Sequence, residues 1–112
     1  MNEDNYFSGD TSKQKSKKQE VSLAKKLGGR TTFGSGSWGH DKTDVEVGKF
    51  KIECKRTDKK SIILKKDWLI KLRKQAGANI PILHLEIQDE RWFLVREEEF
   101  NYIKENEIGK RE

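Results

Sequence analysis

Asp44, Glu53 and Lys55 are spaced so that their side chains could act together. Asp44-Val45-Glu46-Val47 and Phe50-Lys51-Ile52-Glu53-Cys54-Lys55 both alternate in polarity, and Gly48-Lys49 lies between them. That is the pattern of a hairpin closed by a two-residue turn with Gly first. Such a turn fixes the register: Val47 faces Phe50, Glu46 faces Lys51, Val45 faces Ile52, and Asp44 faces Glu53. Val45, Val47, Phe50, Ile52 and Cys54 then share a core face, while Asp44, Glu46, Lys51, Glu53 and Lys55 share the other. Glu46 opposite Lys51 is an ordinary cross-strand charge pair. Asp44 opposite Glu53 sets two carboxylates about 5 Å apart at their Cβ atoms, which is repulsive without a compensating charge. A shared divalent cation keeping several of its waters would compensate them, and Lys55 points its ammonium into the same region. This is the outline of a phosphodiester-hydrolysing site. The bland alternative is a solvated strand face, since exposed strands commonly carry Asp, Glu and Lys.

Other elements must position these residues. Val21, Ala24 and Leu27 recur at helical spacing from about Ser16 to Leu27, and Gly28-Gly29 supplies a stop. The next stretch, Arg30 to His40, is a Gly/Ser-rich loop suited to close approach of backbone to a ligand. Ser61-Ile62-Ile63-Leu64 reads as a short strand, and Lys66 to Ala76 as a second helix with Trp68, Leu69, Leu72 and Ala76 on one face before Gly77. Pro81 to Ile87 and Arg91 to Val95 read as two strands joined across Gln88-Asp89-Glu90, with a last helical turn around Phe100, Tyr102 and Ile103. The order of helix, three strands, helix and two strands predicts an α/β fold, a mixed β-sheet flanked by α-helices. Residues 1–14 read as a flexible polar arm and 15–112 as a single domain.

With 112 residues, 32% hydrophobic and 38% charged, the chain has room for one modest core and one site. Its 24 Lys and Arg against 19 Asp and Glu leave a formal charge of +5, which favours polyanionic partners, nucleic acid first. One cysteine and two histidines exclude an internal disulfide and a structural zinc site, so any metal here is a hard ion on carboxylates. With no apolar leader or membrane-length run, the expectation is a cytoplasmic protein, in the host cytoplasm if phage-encoded, without membrane partners.

Ser35-Gly36-Ser37, Asp44 and Ile52-Glu53-Cys54-Lys55-Arg56-Thr57, in that order, resemble the PD-(D/E)xK nuclease superfamily, and within it the archaeal- and phage-type Holliday junction resolvases. The resemblance runs from about Glu20 to Val95, with Thr43 where the family pattern has Pro. It implies a restriction-endonuclease-like fold. It also implies Mg²⁺ or Mn²⁺ on Glu20, Asp44 and Glu53, with Lys55 orienting or activating the attacking water or stabilising phosphate charge. The implied substrate is branched DNA such as a four-way junction, and cutting its two strands symmetrically calls for a homodimer. Two alternatives stay open: a nicking or restriction-type nuclease of the same fold, and a non-catalytic basic nucleic-acid-binding protein.

Among the remaining residues, the lysines between Lys13 and Lys26 suit phosphate tracking. Arg30, Ser35, Ser37, Lys42 and Arg56 are the candidate DNA contacts, with Lys59 and Lys60 beside them. Trp38 is a candidate for base stacking or core, and His40 for an auxiliary base. Trp68 and Trp92 read as core, His84 as structural or at an interface, and Cys54 as inward-facing and chemically quiet. Glu20 has a second reading as a surface partner of Lys17, one turn away.

Overall fold

The computed structural model describes residues 11–32 and 43–111. Ser35, Ser37, Trp38, His40, Lys42 and the first ten residues of the expected arm lie outside the described residues.

Helix α1, Ser12–Leu27, starts earlier than its apolar periodicity suggests. Thr11 closes a capping box: its hydroxyl accepts from the Gln14 amide at 3.1 Å, and the Gln14 side chain accepts from the Thr11 amide at 2.8 Å. Residues 11–14, expected to belong to the arm, are therefore the start of the helix. At the other end Gly28 takes φ 74°, and the Gly29 amide bonds back to the Ala24 carbonyl at 2.8 Å. These are the marks of a Schellman stop. Gly29 also has to lack a side chain, because a Cβ there would collide with the Glu46 carbonyl and with Val47.

That close approach lets Arg30–Thr31 pair as strand β1 against Glu46 and Val45 of β2, Val45–Val47. Strand β3, Phe50–Thr57, pairs antiparallel with β2 in the expected register, Val45 with Ile52, Glu46 with Lys51 and Val47 with Phe50. Helix α2, Lys66–Ala76, is the crossover that makes β4, Ile80–Ile87, parallel to β3. Strand β5, Glu90–Val95, folds back antiparallel on β4, and helix α3, Glu97–Arg111, follows. The result is a five-stranded mixed sheet in the order β1-β2-β3-β4-β5, flanked by helices.

Three expectations are corrected. Ser61-Ile62-Ile63-Leu64 is not a strand; Ile63 and Leu64 are exposed, so the run has no core face to bury, and β1 supplies the extra strand instead. The last helical turn is a helix of 15 residues, its first turn carrying Glu97, Glu98 and Glu99 where the helix dipole favours acids. Trp92 is 59% exposed rather than in the core, because β5 is an edge strand.

Leu23 and Ala24 of α1 pack on Val45, Ile52 and Ile82, with Val47, Phe50 and Cys54 around them. On α2, Leu72 and Ala76 are buried over the opposite face, where Leu83 is fully enclosed. Covering both faces is usual for parallel pairs such as β3 and β4, and it puts Glu53, beside Leu83, under a helix. No helix among the described residues is long and apolar enough to cross a membrane.

Gln19, one turn before Leu23, is 1% exposed. Its Nε2 lies 2.9 Å from His84 Nδ1 and donates to the Lys55 carbonyl at 3.2 Å, tying α1 to β3 and β4. The imidazole therefore accepts at Nδ1 and is neutral; burial, then Arg91 and Lys26, push its pKa down to about 4. Gln19→Leu strands the Nδ1 acceptor and the carbonyl, and the expected cost is about 1–3 kcal/mol, read from the urea midpoint.

Candidate active site

The sheet has a notch where β2 stops at Val45 while β3 continues to Thr57. Beyond Ile52 no strand among the described residues pairs with the β3 edge facing β2, and the Asp44 side chain bonds it instead. The Asp44 amide still donates to the Ile52 carbonyl at 2.9 Å, and its Oδ2 accepts from the Cys54 amide at 2.8 Å. Asp44 thus sits one residue beyond the ladder with its carboxyl folded along β3, within hydrogen-bonding reach of Glu53. Thr43, just before it, is buried, and its carbonyl accepts from the Thr32 hydroxyl, which anchors the approach to the notch.

Burial pushes the Glu53 carboxyl up to about 7, with Asp44 adding to the shift and Lys55 and Lys71 opposing it. Asp44 is also pushed up by burial, although the Cys54 amide, Lys55 and Lys71 pull it back. The two acids titrate as a pair, both displaced upward with burial as the first cause. Glu20, on the α1 turn beside Gln19, is pushed up to about 7 by burial and then by Asp44 and Glu53, with Lys17 opposing. Glu20 thus feels the acidic pair and its helical neighbour Lys17 together.

Lys55 Nζ stands 3.9 Å from Glu53 Oε2 and 4.6 Å from the centroid of the Trp68 ring on α2. Lys71, one turn beyond Trp68, also acts electrostatically on Asp44 and Glu53. Sequence reading gave Trp68 only as core and did not single out Lys71; the available signal was their i, i+3 spacing on a helix that crosses over the β3 face.

The remaining candidates divide. Arg30 is largely exposed and donates to Glu46 at 3.1 Å; Glu46 also meets Lys51 at 3.4 Å, the expected cross-strand pair. Arg56 points to the opposite face from Glu53 and Lys55. Its side chain is 10% exposed and is held by Asp58 at 2.7 Å and Glu86 at 3.7 Å, so the structure binds it into an ion-pair cluster and not into the notch. Cys54 faces the core as expected; burial, then Asp44, Glu20 and Glu53, drive its thiol far above the ordinary range, and it stays protonated.

The donor set fits a hard divalent cation. Two carboxylates lie in contact, both pushed up first by burial, and Mg²⁺ is commonly held by one or two carboxylates with water filling the rest. Among the described residues no three acidic, His or Cys side chains already converge on one point, so Asp44 and Glu53 are the touching pair and Glu20 stands beside them.

The fold and this notch together define an α/β domain with a paired-carboxylate and lysine site. Comparisons with protein-family models, curated proteins and solved structures find no match, so function is read from these residues alone.

Proposed function

We propose that the chain is a Mg²⁺- or Mn²⁺-dependent endodeoxyribonuclease of restriction-endonuclease-like type that cuts branched DNA, four-way junctions in particular, as a cytoplasmic homodimer. The observation that carries this reading is the contact of Asp44 with Glu53 in a notch that also holds the Lys55 ammonium.

Asp44 and Glu53 would hold the ion, with Glu20 closing the rim. When bound, the ion supplies an acidified water and positive charge at the scissile phosphate. Asp44 is oriented by the Cys54 amide, so its carboxylate is fixed before any ligand arrives. Glu53 must release its proton to take part. Lys55 places its ammonium where charge accumulates on the phosphate oxygens, and Lys71 adds to that field. The basic residues of α1 and the net charge of +5 draw a polyanion toward the notch. A junction offers two related strands, which calls for two sites, and the exposed aromatic side chains of β5 and α3, Trp92, Phe93, Phe100 and Tyr102, are the candidates for contact with a second copy.

The test is strand cleavage of a labelled four-way junction and a matched linear duplex, with Mg²⁺ and with EDTA. Metal-dependent cutting confined to the junction is expected. Equal cutting of the duplex would retain the nuclease and replace the substrate with that of a nicking or restriction-type enzyme. Binding unchanged by EDTA with every strand intact would leave a basic nucleic-acid-binding protein.

A further inference from the structure

Lys55 has a second neighbour, and it is not an acid. The ammonium lies 4.6 Å from the centroid of the Trp68 ring and 3.9 Å from Glu53 Oε2, the latter near the outer limit of an ion pair. A lysine carries a long flexible stem, and one stretched ion pair is a weak restraint on it. Trp68 sits in the first turn of α2, partly buried, on a helix fixed over the sheet by Leu72 and Ala76. Its ring is therefore a rigid floor beneath a mobile charge.

We propose that Trp68 is the positioning residue for Lys55, holding the ammonium over the Asp44–Glu53 pair through its indole face. An aromatic face attracts the cation through its quadrupole and leaves the three N–H donors available. A carboxylate in the same place would occupy those donors and cancel the charge. Trp68 thus keeps the Lys55 ammonium in place with its donors free, so that it acts on phosphate charge and water orientation. The catalytic consequence rests on the nuclease reading, whereas the contact itself does not.

The experiment compares Trp68→Leu and Trp68→Phe, each in the wild-type and Lys55→Met backgrounds. Steady-state cleavage of the junction in Mg²⁺ is measured alongside the ¹H shifts of the Lys55 ε-methylene. Trp68→Leu is expected to lower kcat about tenfold while KM changes less than about twofold, and Trp68→Phe to keep most of the rate. In the Lys55→Met background the Leu substitution should make no further difference. The ε-methylene should resonate upfield in the wild type and return to the usual lysine position in Trp68→Leu. An equal loss from Trp68→Leu in both backgrounds would make the indole merely structural and overturn the proposal. So would an unshifted ε-methylene in the wild-type protein. If Leu at this position unfolds α2, Trp68→Phe and the wild-type methylene shift still decide. A wild-type protein that cuts nothing would remove the nuclease reading, and the methylene shift would then judge the contact independently.

Discussion

Glu53→Gln is expected to abolish cleavage, by on the order of 10³-fold or more, while raising the melting temperature of the metal-free protein at pH 8. Above about pH 7 the Glu53 carboxyl has lost the proton it shares with Asp44, and two half-buried negative charges then face each other. A neutral amide of the same shape removes that repulsion and so stabilises, by about 1 kcal/mol. At pH 5 Glu53 is already protonated, so the gain should nearly vanish there. Asp44→Asn should lose activity to the same degree and keep the fold, because an amide oxygen can still accept from the Cys54 amide. Paired cleavage assays and thermal melts at the two pH values check both halves. Undiminished cleavage by either variant would detach the pair from the chemistry, and a lower melting temperature at pH 8 would show that the two acids hold the fold together.

Metal affinity should climb with pH and then level off near neutrality. Glu20 and Glu53 titrate at about 7 in the folded chain, against an ordinary value of 4.5. Between those values the native state binds more protons than the unfolded state, so the contribution of these two groups to stability falls as pH rises through the window. His84 works in the opposite direction. It stays neutral in the fold down to about pH 4, while the unfolded chain gains a proton below 6.5, so its contribution rises with pH between those two values. Two acids outweigh one imidazole, and between pH 6.5 and about 7 the acids act alone. A divalent cation competes with the same protons, so its apparent affinity should increase up to about tenfold per pH unit for each proton displaced, until about pH 7. Calorimetric titration of Mn²⁺ from pH 5.5 to 8.5 reads this slope directly, and Glu53→Gln should flatten it. An affinity independent of pH would place the cation elsewhere.

The alternation around Gly48-Lys49 was enough to determine the hairpin and its register from Val45–Ile52 to Val47–Phe50, because a two-residue turn and a period of two leave one arrangement, whereas Asp44 does not continue that ladder opposite Glu53 and reaches β3 through its carboxyl. The helix at Lys66–Ala76, both later strands and an inward Cys54 were legible for the same reason: periodicity is a local property. Even the early start of α1 was written in Thr11 and Gln14, whose spacing is that of a capping box. Tertiary structure decided what depends on neighbours distant in sequence. Arg30–Thr31 is a strand only because Gly29 lets the chain press against Glu46 and Val47, whereas Ser61 to Leu64 had the better local pattern and no face to pair with. Trp92 is exposed because β5 ends the sheet, and Arg56 is bound to Asp58 and Glu86 because β3 turns it away from the notch. The electrostatics of the site belong to the same class. Short β2 leaves the notch, α2 closes over Glu53 and lays Trp68 under Lys55, and the Gln19–His84 joint holds Glu20 alongside. Residue identity names the charges, but their energies depend on burial and on what lies within a few ångströms, and only the packed chain sets those distances.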